Sequence, residues 1–444
     1  MVNEKALKPW LRPAPRPYIL QNASIVDVAH GSIRANVDVT IIRGKIHSIT
    51  PSSFPSPPRT GYIQIDCTSL YLCPGLIDCH VHLVATPGFD NLAAAFGNPE
   101  SVSLLRQPYV CAQMLHRGFT TVRDCGGAHT AIKEAIEDGV FPGPRLFIAG
   151  HALSQSGGHA DFRNKHDLSA CCGGAHAGLG RVCNGVAQCM QAVREEIRCG
   201  SDFIKIMGSG GVSSPTDKIS HLQFTPKEIR AMVNCAKNAG TYVTAHAYTP
   251  AAIRHCIENG VQGIEHGNFL DKETAVLMAE HEAFLTPTLV TYDQMAAPAW
   301  EGFLPRSEQS KNTEVLEAGL EALKIASEAG VKMCFGTDLL GPLGAAQTHE
   351  FALRSKVLTP LEVLRSATLN AASMMDQTNS LGQVEVGFEA DILFLASNPL
   401  DNVKILDAPE TYVKGVMKEG RVYKSRWSGL AEDANMPIKI GASL

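Results

Sequence analysis

Long apolar runs are missing from this sequence: no stretch of about 18 or more apolar residues occurs, which argues against a membrane-spanning helix. Positive charge is in short supply as well. Lys and Arg number 39 against 44 Asp and Glu, a formal net charge of −5 at pH 7. Nothing therefore marks a basic face for nucleic acid or anionic lipid, and a small molecule is the expected partner. No CxxC pair occurs among the 13 cysteines, an odd and scattered set best read as reduced thiols in a large chain without an export signal. The first segment, Met1 to Tyr18, lacks an apolar core and carries four prolines, so it does not read as a signal peptide. The expected compartment is the cytoplasm, with export of a trimmed form left open. No GxGxxG follows an early strand, which weighs against a dinucleotide-binding sheet.

What is present is an ordinary globular composition, 45% hydrophobic and 19% charged, over 444 residues. That length allows one large domain with a satellite, or two to three domains. Short alternating runs lie at both ends: Tyr18 to Val28 and Asn36 to Ile49 early, Gly382 to Ala396 and Tyr412 to Tyr423 late. Neither segment is large enough for its own core, and each alone would leave open strand edges. Pairing into one small β-sandwich, residues 1–71 with 380–444, is the expectation.

Between them, in residues 72–379, strand and helix alternate. The candidate strands are Leu76–His80, Phe119–Asp124, Arg145–Ala149, Asp202–Met207, Tyr242–His246, Gln262–His266, Ala283–Pro287 and Val331–Thr337. Helical patterns fall between, among them Pro226 to Ala239, Pro250 to Glu258 and Thr313 to Ala329. Eight such strands favour a (β/α)₈ TIM barrel over an open doubly wound sheet. One connection, Ser154 to Asn184, is oversized and rich in Gly, Cys and His. Its Cys171, Cys172 and Cys183 with His166 and His176 have zinc-binding chemistry, but their spacing fits no known finger, and reduced loop thiols are the plainer reading.

Polar residues collect where the apolar runs stop. His80 and His82, two apart at the end of the first strand, project to the same side. His246 and His266 end two later strands, and Asp338 ends the last. Any one is explicable as a hydrogen-bonded structural residue. Five on the C-terminal rim, where barrel enzymes build their sites, point to a metal centre of the imidazole–carboxylate kind. Asp338 is also placed to relay a proton. Lys205, inside the apolar strand Asp202–Met207, is costly if charged and unpaired. Residue chemistry leaves two readings: a buried ion pair with Asp124 or Glu265, or a lysine that has reacted with carbon dioxide to give a bridging carbamate.

The set Pro74-Gly75-Leu76-Ile77-Asp78-Cys79-His80-Val81-His82, Ile204-Lys205, His246, His266 and Thr337-Asp338 resembles the amidohydrolase superfamily, as does the late Gly387-Phe388-Glu389-Ala390-Asp391 run. The resemblance covers almost the whole chain. It implies two divalent ions, zinc foremost: one on His80, His82 and Asp338, the other on His246 and His266, bridged by carboxylated Lys205. It also implies a homo-oligomer. The segments Ala152 to His159, Lys205 to Val212 and Ala245 to Tyr248 resemble the ochratoxinase and Xaa-Pro dipeptidase-like carboxypeptidases. The Cys- and Gly-rich stretch Ala170 to Asn184 departs from both. That branch implies metal-activated hydroxide cleaving the amide bond to a C-terminal amino acid, in an ochratoxin-like N-acyl amino acid or an Xaa-Pro-type dipeptide. The substrate would be a small amide with a free carboxylate. His159 is the candidate to stabilise the oxyanion and Tyr248 to donate a hydrogen bond, with loop ordering and packing as their bland alternatives. Backbone N–H groups of Ser209-Gly210-Gly211 are candidates for the substrate's anionic end. Three other functions share parts of the pattern. They are a cyclic-amide hydrolase like dihydroorotase or hydantoinase, a phosphotriesterase or lactonase, and a metal-free scaffold. The complete ligand set argues against the last.

Overall fold

The computed structural model describes residues 8, 10–92, 94, 99–163, 166, 178–214 and 217–433. Eight parallel strands form the barrel: Leu76–Val81, Phe119–Asp124, Arg145–Ile148, Ile204–Met207, Val243–Ala247, Gly263–His266, Phe284–Thr286 and Lys332–Met333. These strands read as near-continuous apolar runs because barrel strands are covered on both faces. The third and fourth are linked by a hydrogen bond from Asp202 N to Ile148 O (2.8 Å) and by an inserted strand, Ala152–Ser154, that pairs with Ile204–Met207. The ring closes where Cys79 N donates to Phe335 O (2.7 Å) and Asp338 N to His80 O (2.8 Å). The last strand is shorter than the Val331–Thr337 run predicts. Beyond Met333 the chain stays bonded but to several partners, Phe335 N donating to Ser366 O (2.8 Å) and Cys334 N to Leu285 O (2.8 Å), so no regular ladder continues.

Threonine–proline pairs start three of the outer helices, Pro226–Asn238, Pro250–Ile257 and Pro360–Ser366. Pro226–Asn238 opens with a capping box between Thr225 and Glu228, and Pro250–Ile257 with Thr249 accepting from Ala252 N. Helix Arg306–Glu328 begins seven residues before the predicted Thr313. Its first turns are almost wholly polar, with Glu308 and Asn312 as the buried members, so no apolar period announces them.

The two chain ends meet in one eight-stranded sheet. Tyr18–Asp27, Ser32–Ile42, Lys45–Pro51, Ile63–Asp66 and Tyr71–Pro74 come from the first end. Ile392–Leu395, Val413–Lys418 and Arg421–Ser425 come from the other. The seam is the antiparallel pairing of Ile392–Leu395 with Tyr71–Pro74. Neither end has a core alone, but together Leu20, Ile25, Val39, Ile392, Phe394 and Met417 bury one. Asp391 anchors this sheet to the barrel through Arg145 Nη1 (2.7 Å), at the start of the third strand.

In the oversized connection, Ala152–Ser154 pairs in parallel with Gly180–Val182. Cys171, Cys172 and His176 lie outside the described residues. Cys183 is buried with its thiol hydrogen-bonded to Cys189 and joins no metal-ligating group among the described residues.

Candidate active site

His80, His82, Lys205, His246, His266 and Asp338 line one cleft at the rim of the barrel, joined by His159 and Tyr248. Strand alternation brings His80 and His82 to the same side, with ring centroids 5.2 Å apart. His80 Nε2 and His82 Nε2 lie 3.5 and 3.2 Å from Asp338 Oδ1. His266 faces both His80 and His246, at 5.0 and 4.5 Å between centroids. Donor atoms of His80, His266 and Asp338 all fall within 4.8 Å of one another. Two of these residues hold left-handed backbone, His266 at φ 76° and Asp338 at φ 51°. That conformation costs a side-chain-bearing residue about 1–3 kcal/mol and persists at functional sites where surrounding bonds over-determine it.

Each imidazole is oriented by a bond from its nitrogen remote from the cleft centre. His80 Nδ1 meets Glu265 Oε2 (2.8 Å) and His82 Nδ1 donates to Gly126 O (2.8 Å). His266 Nδ1 meets Thr288 Oγ1 (2.8 Å) and the Tyr292 hydroxyl (3.0 Å), and His246 Nε2 donates to Gly210 O (3.3 Å). The other nitrogen of each ring is left for the cleft, the arrangement metal-ligating histidines adopt. Burial pushes the His80 imidazolium down to about 4 and holds His246 and His266 well below the ordinary range, so these rings are neutral donors. Burial alone would raise Asp338, yet His80 and the hydrogen bond from His82 keep its carboxyl well below the usual carboxylate range. Neutral imidazoles beside an ionised carboxylate fit a divalent ion.

Lys205 is 1% exposed, and neither Asp124 nor Glu265 lies within ion-pair distance of it. Both carboxylates are engaged elsewhere. Asp124 accepts backbone N–H groups of Leu83 (2.6 Å), Gly126 (2.9 Å) and Ala128 (3.1 Å). Glu265 pairs with Arg123, accepts from Thr244 and orients His80. The ion-pair reading of Lys205 therefore has no partner among the described residues.

His159 reaches the cleft from the segment after Ala152–Ser154 and stacks on His246, 4.2 Å between centroids and 21° between planes. Ser214 Oγ lies 2.9 Å from its Nδ1, with Asp217 Oδ2 at 3.7 Å. Gln223 braces both, accepting from His159 N (3.0 Å) and donating to Asp217 (2.9 Å). Gly211 makes room: a Cβ there would sit 2.2 Å from the His159 ring. That close approach serves the protein itself. The N–H groups of Ser209, Gly210 and Gly211 already donate to His246 O, His221 O and Asp217 Oδ1, so the expected anion cradle at these residues is not there. Tyr248 is 2% exposed, its hydroxyl 2.7 Å from that of Tyr292.

Tyr292, Thr288, Asp217 and Arg123 are the site residues that sequence reasoning missed, and Glu265 was read only as a counter-ion for Lys205. Thr288 and Tyr292 follow the seventh strand, so the same rim rule that found His246 reaches them. Asp217 and Arg123 carry no comparable signal.

A model of the amidohydrolase family matches residues 71–423. The chain belongs to the amidohydrolase family. A curated relative, ochratoxinase of Aspergillus niger, is 32% identical over 379 residues, 83% of this chain and 78% of that one. A solved amidohydrolase structure is 43% identical with TM-score 0.86, covering 91% of this chain and 98% of the other. A prolidase complexed with N-methylphosphonate-L-proline is 41% identical with TM-score 0.88, over 92% and 100%. This amidohydrolase stands on the ochratoxinase-like branch and is a hydrolase of amide or peptide bonds. The family typically uses divalent metal ions, and His80, His266 and Asp338 form a group able to hold one.

Proposed function

We propose that this amidohydrolase cleaves the amide bond to a C-terminal amino acid, in an N-acyl amino acid or an Xaa-Pro-type dipeptide. In this reading His80, His82 and Asp338 would hold one divalent ion and His246 and His266 a second, both zinc, with Lys205, as its carbamate, a ligand to them. The observation that carries it is Lys205, buried among four oriented histidines, three of them held neutral, with no carboxylate within ion-pair distance among the described residues. Conversion to a carbamate supplies the missing anion. When bound, the ions supply Lewis acidity that polarises the amide carbonyl and makes water a stronger acid.

The protein's own groups do the rest. Asp338 Oδ1, ionised and beside His82, takes a proton from water and delivers it to the departing nitrogen. His159, its Nδ1–H turned to Ser214, whose hydroxyl donates to Asp217, stabilises the tetrahedral oxyanion through Nε2–H as the imidazolium. The tyrosines form a directed chain. With Nδ1–H of His266 donating to Tyr292, the Tyr292 hydroxyl donates to Tyr248, whose own O–H remains for the substrate. Apolar walls from Phe162, Leu179, Met207, Val212 and Met295 exclude water around an apolar acyl group or side chain. Elemental analysis joined to a panel of N-acyl amino acids and Xaa-Pro dipeptides tests the reading. Expected are about two metals per chain, as in two-ion sites, and release of a C-terminal amino acid that chelation abolishes. Protein that stays inactive after metal and bicarbonate are restored overturns it.

A further inference from the structure

Beside the catalytic cleft lies a second cavity of about 230 Å³, and His82 belongs to the wall of both. Its sides come from helix Glu100–His116, the turn at Ala85 and Pro87, and the stretch from Leu339 to Ala345 that follows Asp338. The lining is largely apolar, with Val110, Met114, Leu339 and Pro342 prominent. One cation stands among them.

Arg117 closes the helix and faces this cavity, not the catalytic cleft. Its Nε and Nη2 both donate to Gln347 Oε1, at 3.0 and 2.9 Å. That acceptor is neutral. Among the described residues no carboxylate lies within ion-pair distance of Arg117. Asp78 is reached only through Gln347, whose Nε2 donates to Asp78 Oδ2 (2.9 Å), and Asp78 is occupied further by Thr337 Oγ1 (2.7 Å) and His80 N (3.1 Å). Burial pulls the Arg117 guanidinium down to about 10, as expected of a cation without a touching counter-charge. A guanidinium has five N–H donors, so two bonds to Gln347 leave three unspent.

We propose that this cavity binds an apolar monocarboxylate, the carboxylate on Arg117 and the hydrocarbon against Val110, Met114 and Leu339. A planar fork takes a carboxylate through two parallel charge-assisted bonds, and apolar walls strengthen them by excluding water. A few convergent polar groups in an apolar concavity is the usual make-up of a small-molecule site. The inference rests on the cavity and not on the substrate assigned above, and it is read by binding, so it survives or fails apart from turnover.

The test is calorimetric titration of metal-loaded protein with hexanoate and with hexan-1-ol at fixed ionic strength. Saturable hexanoate binding is expected, with the alcohol weaker by about tenfold or more and Arg117→Gln weakening hexanoate by a similar factor. Because Arg117→Gln removes the tether to Gln347 and risks misfolding, Ala345→Phe provides a second arm: it fills the cavity from its wall, leaves Arg117 in place and should also abolish binding. Hexanoate that does not saturate, or that binds both variants as it binds the parent, overturns the proposal.

Discussion

Replacing Glu265 by Gln probes stability and the metal centre at once. Glu265 and Arg123 are both fully buried and paired, and the same carboxylate orients His80 through Nδ1 at 2.8 Å. Arg123 has little else to hold it: Cys79 O at 2.7 Å, the Tyr242 hydroxyl at 3.4 Å and the face of Phe203 at 4.8 Å. Removing one member of a buried pair strands the other charge and costs about 3–5 kcal/mol. The glutamine oxygen still accepts from Arg123, so the lower end of that range is expected. His80 meanwhile loses its anionic partner, which typically weakens metal binding about 10–100-fold. Denaturant unfolding of the chelated protein reads the first effect, and competition with a chromophoric chelator the second. Removing the stranded cation too, in Arg123→Met/Glu265→Gln, should return much of the stability and none of the metal affinity. A Glu265→Gln protein as stable as its parent, with parental metal affinity, refutes the account of this pair.

Asp338→Asn should retain metal while turnover falls by about 10²–10⁴-fold, the range for a lost acid–base group; elemental analysis beside a rate assay checks both, and near-parental turnover removes Asp338 from proton transfer. Gly211→Ala places a Cβ 2.2 Å from the His159 ring and should lower kcat with metal content unchanged, because only the imidazole must move. Tyr292→Phe breaks the link from His266 Nδ1 to Tyr248, so metal affinity should fall by about tenfold and KM should rise; unchanged values for both would show that Thr288 alone orients His266.

Much of this molecule is legible along the chain because strand ends are punctuated by chemistry. His80, His82, His246, His266 and Asp338 each stand where an apolar run stops, and the run is apolar because a barrel strand is buried on both faces. The strands Phe119–Asp124 and Gly263–His266 agree with their predicted bounds to within a residue. Where the pattern weakened, the cause was local. The front of helix Arg306–Glu328 buries polar residues, and the end of the last strand bonds to a helix end and to the first strand instead of one neighbour.

The sequence by itself determined the alternation of elements, the rim positions of the metal-ligating residue types and the pairing of the chain ends, since each follows from a local period or from an edge that cannot stand alone. Only the tertiary structure decided the partners. Glu265 and Asp124 are equally plausible counter-ions for Lys205 when read along the chain; packing gives one to Arg123 and the other to three backbone N–H groups, and leaves neither within ion-pair distance of the lysine. The glycines at 210 and 211 looked ready for a ligand, yet their N–H groups bond within the fold. A buried group bonds to whatever long-range packing brings within about 3 Å, and no spacing along the chain encodes that distance.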